Sequence, residues 1–141
     1  MINFLSSVAL DSFYLTGVDF HTTAKEGMTD GHVSFGNKIT LMTPSDMPLD
    51  KVEYIKLNIE VNIEGKDDES NGLFKLKSEY EAFFRVVNNK VFFENDLRTR
   101  SHYCFSLVYP FVIDDILPLL KRAGVDSVAL PLSSTVDDII S

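Results

Sequence analysis

The chain has 141 residues, 45% of them hydrophobic, and 13 Lys and Arg against 21 Asp and Glu, a formal charge of −8. It is too short for two ordinary domains and long enough to bury roughly two-thirds of its unfolded surface, so one domain over residues 1–141 is expected, with a core that needs no disulfide or structural metal. The acidity excludes a nucleic-acid binder, because Lys and Arg stand singly or in pairs and form no cluster to meet phosphates.

Cys104 is the single cysteine, which excludes an internal disulfide and a cysteine zinc site and fits a reducing compartment. The start, MINFLSSVAL, lacks a basic n-region and reads as mature sequence. The longest apolar run, Tyr103 to Ile113, falls short of the ~20 residues of a membrane span and ends at Asp114 and Asp115. A cytoplasmic protein with no membrane insertion is expected. The composition is unusual in its 11 Phe and 5 Tyr with no Trp, which implies a Phe-rich core, a sticky surface or a subunit interface.

In chain order, Val8 to His21 is rich in β-branched and aromatic residues and reads as a strand, with Leu10, Tyr14, Val18 and Phe20 on one face and Phe13 and Leu15 on the other. Gly36 to Pro44 is a shorter strand candidate, with Pro44 and Pro48 marking the loop after it. Ile55, Leu57, Ile59, Val61 and Ile63 then alternate with Lys56, Asn58, Glu60 and Asn62, the pattern of a half-buried strand. After the polar stretch Gly65 to Gly72, Phe74, Leu76, Tyr80, Ala82, Phe84 and Val86 alternate with Lys75, Lys77, Glu79, Glu81 and Arg85, which completes a long antiparallel hairpin.

Beyond Asn88 the period changes to three and four. Asn95 or Asp96 is placed to cap a helix carrying Phe105, Val108, Val112, Ile116, Leu119 and Leu120 and closing near Lys121, Arg122 and Gly124. Pro110 and Pro118 interrupt it, so the helix is either kinked or begins near Pro110. An extended linker follows, and Ser134 or Thr135 is placed to cap a last short helix. Strands first and helices after make an α+β arrangement with the helices on one face of a sheet.

Catalytic constellations are weak throughout. His21, His32 and His102 form no metal-binding frame, Cys104 on an apolar helix reads as a small core residue, and the adjacent acids Asp114–Asp115 and Asp137–Asp138 diverge by ~100° on a helix. The run Asp67 to Glu69 lacks the ligand order of a calcium loop, and the glycines form no nucleotide cradle. No enzyme, no cofactor and no metal are therefore expected. The positive signal is the run of large apolar residues from Phe83 to Phe111, read either as core plus oligomer interface or as a groove that accepts extended polypeptide.

Three stretches resemble the SecB family of tetrameric export chaperones: Tyr14 to Phe20, the hairpin from Val52 to Phe84, and Cys104 to Ser133, where Pro110, Phe111, Ile116, Arg122, Val128 and Leu130 fall on the family's helix and linker positions. The resemblance implies a four-stranded antiparallel sheet with a long helix and a short C-terminal helix, and dimers that pair into a homotetramer. It also implies an ATP-independent holdase with a groove drawn from Met42, Phe83, Phe92, Phe93, Tyr103, Leu119, Val125, Leu130, Leu132 and Ile139. Phe13, Leu15, Val108, Phe111, Val112 and Ile116 are assigned to the subunit interface.

At the positions where export members carry acid to dock the SecA motor, this chain has Gly17, His21, Lys75 and Lys77, so that docking is expected to be absent or redirected. The loss favours a member dedicated to few clients, such as the antitoxin of a toxin–antitoxin pair. Two other readings stand beside it: an oligomeric scaffold without chaperone activity, and a general preprotein export chaperone.

Overall fold

The computed structural model describes residues 4–22, 32–66, 72–122 and 138–140. Four long strands, β1 (Val8–Thr22), β2 (His32–Met42), β3 (Tyr54–Lys66) and β4 (Gly72–Val86), form an antiparallel sheet in the order β1-β4-β3-β2. The alternation in β3 and β4 is obeyed strictly. Ile55, Leu57, Ile59, Val61 and Ile63 are buried beside Leu76, Tyr80, Ala82 and Phe84, and the intervening charged residues face the other way.

β1 departs from strict alternation. Its pairing with β4 shifts register between Leu10 and Ser12 and again between Leu15 and Gly17. Each shift inserts one residue and reverses the side-chain parity. Leu10, Phe13, Leu15, Val18 and Phe20 therefore stand opposite Phe84, Ala82, Tyr80, Ser78 and Leu76, all on the core side. The expected opposition of Phe13 and Leu15 to Leu10, Val18 and Phe20 is corrected, and Tyr14 lies across from Glu81 on the polar face.

The fifth strand, β5 (Asp138–Ile140), adds in parallel to β2, with Ile139 beside Ile39. The short helix of the fold is α1 (Asn89–Phe93), which precedes the long helix; the chain end expected to be helical pairs as a strand at residues 138–140. Two adjacent β-branched residues beside an open sheet edge outweigh the upstream capping signal.

α2 (Leu97–Arg122) is continuous through both prolines. Asp96 caps it, its carboxylate accepting the Thr99 amide at 2.7 Å. Pro110 and Pro118 are both exposed, as are Ser106 and Asp114, whose carbonyls lose their helical donors to the prolines on a face where solvent can satisfy them. The opposite stripe, Phe105, Val108, Val112 and Ile116, is fully buried against the sheet, each side chain contributing about 1.5–3 kcal/mol. By length and composition α2 is long enough to cross a membrane, but its apolar stripe packs on its own sheet.

Candidate functional site

The connection from β2 to β3 is anchored by Asn89, the first residue of α1, whose side-chain amide donates to the carbonyls of Leu49 and Val52, both at 2.7 Å, while Asn88 caps α1 by accepting the Val91 amide at 3.0 Å. These bonds set Leu49 at the mouth of a cleft of about 420 Å³ lined by Leu41, Met42, Thr43, Leu49, Leu97 and Arg100. Met42 and Leu49, 47% and 52% exposed, and the nearby exposed Met47 present flexible apolar side chains to solvent.

Behind the cleft stands an aromatic wall. Phe92 stacks on Phe4 with centroids 5.9 Å apart and meets Phe93 edge-on at 5.1 Å, and Tyr103 tilts against Phe4 at 5.1 Å while its hydroxyl donates to the Leu5 carbonyl. The Arg100 guanidinium lies over Phe93 at 5.2 Å and Phe92 at 5.8 Å, and its Nε donates to the Asn95 carbonyl at 3.1 Å. Burial pulls Arg100 below its ordinary pKa and pushes the Tyr103 hydroxyl up. A second, more open cleft of about 550 Å³, lined by Phe4, Leu5, His102 and Tyr103 among others, lies on the other side of this wall.

No protein-family model and no curated protein matches the sequence. Among solved structures, the fold is similar to that of the Mycobacterium tuberculosis Rv1957 SecB-like chaperone in complex with a ChAD peptide from the Rv1956 HigA1 antitoxin, with a TM-score of 0.62 over 90% of this chain and 91% of that one, at 8% identity. The chain has a SecB-like fold. At that identity the likeness carries the path of the backbone, and the roles of side chains rest on their own positions.

Four of the residues expected to line a client groove in this SecB-like fold come together at the cleft and its wall: Met42, Phe92, Phe93 and Tyr103. Phe92 is fully buried and serves as backing, not as open lining. Phe83 lies elsewhere, on the polar face, against Tyr14 at 6.2 Å and under Lys56 at 5.9 Å. Leu119 is half-buried on the last turns of α2. Val125, Leu130 and Leu132 lie outside the described residues, and Ile139 belongs to β5. Arg100, Leu49 and Leu97 were not expected at the site. Their signals are slight: a lone Leu directly after the second loop proline, and a Leu–Arg pair three apart on a first helical turn.

The subunit-interface set divides. Val108, Val112 and Ile116 are fully buried within the chain's own core, which corrects their assignment to an interface. Phe13 is half-buried, stacked on Tyr80 and tilted against Phe111, while Leu15, Val18 and Phe111 are 51%, 44% and 49% exposed, so this core-side face of β1 extends beyond the cover of α2.

Gly17, His21, Lys75 and Lys77 do share the polar face, through the cross-strand pairs Gly17 with Glu79 and His21 with Lys75. Lys77 bonds Glu60 at 3.0 Å and Glu79 at 3.3 Å, Lys75 bonds Glu64 at 3.1 Å, and His21 approaches Asp19 at 2.7 Å. The Glu60 and Glu79 bonds raise the Lys77 pKa. Among the described residues no group of three His, Cys, Asp or Glu side chains is placed to hold a metal ion. Cys104 is fully buried, and desolvation pushes its thiol up to about 12, which removes it as a nucleophile.

Proposed function

We propose that this protein is an ATP-independent holdase that binds unfolded or aggregation-prone polypeptide in apolar clefts, dedicated to few clients such as an antitoxin. The observation that carries the reading is the cleft itself. An acidic chain holds Met42 and Leu49 exposed at a mainly apolar cleft, with Leu49 in a connection that Asn89 fixes in place. The fold shared with a SecB-like chaperone in complex with an antitoxin peptide supports the same reading. The protein acts as a binder and not as an enzyme, in the cytoplasm, without nucleic acid or membrane insertion.

The reading includes a homo-oligomer, a tetramer built as a dimer of dimers, with Phe13, Leu15 and Phe111 at a subunit surface; the exposure of Leu15 and Phe111 supports it. SecA docking is absent, because the lysines and carboxylates of the polar face neutralise one another. The test is light scattering of a chemically denatured model protein diluted into an equimolar amount of the chain. Suppressed aggregation is expected. Unchanged aggregation, with no protection of an antitoxin encoded beside the chain, overturns the holdase in favour of a scaffold.

A further inference from the structure

Leu41, Met42, Leu49 and Leu97 give the cleft a mainly apolar lining, Thr43 adds a hydroxyl, and the one charged group among the lining residues is the guanidinium of Arg100. Its orientation is fixed by the Nε bond to Asn95 and by the rings of Phe92 and Phe93. Those contacts leave the terminal nitrogens without a carboxylate partner among the described residues. Asp96, one turn earlier, is engaged by the Thr99 amide and feels the Arg100 charge without forming an ion pair with it. A cation partly withdrawn from water gains from a directly bonded counter-ion, and a planar two-pronged donor in an apolar setting matches the geometry of a carboxylate. Leu97, the first residue of α2, brings the positive end of the helix dipole to the same place.

We propose that the cleft takes an extended apolar polypeptide segment by a carboxylate, which pairs with Arg100 while neighbouring side chains pack against Leu41, Leu97 and the rim residue Leu49. This rests on the polypeptide-binding reading above and names the class of segment bound. Either a chain terminus or an acidic side chain flanked by apolar residues supplies the group.

The test measures fluorescence anisotropy of the labelled peptide Gly-Ser-Leu-Val-Phe-Leu-Leu with a free C-terminus, of its C-terminal amide, and of an amidated form with Glu in place of Phe. The free acid is expected to bind the wild-type protein about tenfold more tightly than the amide. Arg100→Met, which keeps much of the aliphatic length, is expected to abolish that difference between acid and amide. A gain by the Glu peptide assigns the site to any carboxylate, and no gain assigns it to a chain end.

Equal binding of acid and amide by the wild type, or a preference that survives Arg100→Met, overturns the proposal. Where Arg100→Met does not fold, Leu49→Asp at the exposed rim replaces it; it is expected to weaken the acid more than the amide, and an unchanged preference overturns the proposal. Suppressed aggregation with no peptide bound overturns this inference and leaves the holdase standing, whereas neither activity overturns both. An oligomer that Arg100→Met dissolves makes a second copy the occupant and also overturns it.

Discussion

The ring of Phe13 stacks on that of Tyr80, with centroids 5.0 Å apart and planes at 11°, although Phe13 belongs to the edge strand of the sheet. The stack fixes Phe13 toward the core, and Phe111 of α2 closes on it at 5.9 Å. From that point the apolar face of β1 continues outward through Leu15 and Val18 with no cover from α2.

If that ridge is a subunit surface, Leu15→Asp and Phe111→Asp reduce a multiple of 15.9 kDa to the mass of the single chain. Light scattering after size exclusion checks it. Phe13→Ala behaves differently, lowering stability by about 2 kcal/mol through the loss of a half-buried ring. A mass unmoved by either acidic substitution removes the ridge from the interface.

Gly65 is required by a close approach, not by a turn. It is buried near the end of β3, directly across from Phe74, and a Cβ at that position would fall within the Phe74 ring. The ring uses that space and stacks on Phe20 of β1 at 6.1 Å, so one missing side chain allows an aromatic bridge across the sheet. Gly65→Ala is expected to cost about 1–3 kcal/mol in a denaturant melt, and adding Phe74→Leu to recover part of the loss. Equal stabilities of Gly65→Ala and the wild type contradict the account.

The sequence and the structure agree where one rule governs a segment. In β3 and β4 the period of two is unbroken, so face, partner and burial follow from Ile55 to Ile63 and from Phe74 to Val86. In β1 nothing in Asp11 or Thr16, which lie at the two register shifts, signals that the parity turns over, so simple alternation separates Phe13 and Leu15 from Leu10, Val18 and Phe20, with which they share a face. The helix was legible in its cap and its stripe. Its buried residues were not separable from an interface, because the sheet and a second subunit demand the same apolar side chains of Val108, Val112 and Ile116. The cleft was half legible: its aromatics stood out, but Arg100 acquires its role only when the fold sets it between Phe93 and Leu49.

On the polar face, Lys75 and Lys77 stand among Glu60, Glu64 and Glu79 in a ladder of compensating charge. Titration of the wild-type protein with the C-terminal segment of SecA is expected to give no saturable heat; micromolar affinity would show the face to be competent as it stands. Lys75→Glu with Lys77→Glu leaves the three glutamates uncompensated and creates an acidic surface. Binding that appears in this double variant and fades with added salt is the expected result. The melting temperature should change little, since exposed ion pairs contribute little to stability.

Cys104 provides a probe of the core that titrates in a defined direction. Its thiol is fully buried under α2, and desolvation moves its pKa from an ordinary 9.0 to about 12, against the pull of nearby Arg100. Because the folded value lies above the unfolded one, the neutral thiol is favoured by folding. Its contribution is complete below pH 9.0 and is lost as the pH rises toward about 12. At pH 8 a thiol-reactive disulfide reagent is therefore expected to label Cys104 only as fast as the protein opens, with full labelling in denaturant. Cys104→Ala removes the thiol and should flatten whatever part of the alkaline fall in stability the wild type owes to it. Rapid labelling of the native protein at neutral pH would place Cys104 outside the core and with it the packing of α2 on the sheet.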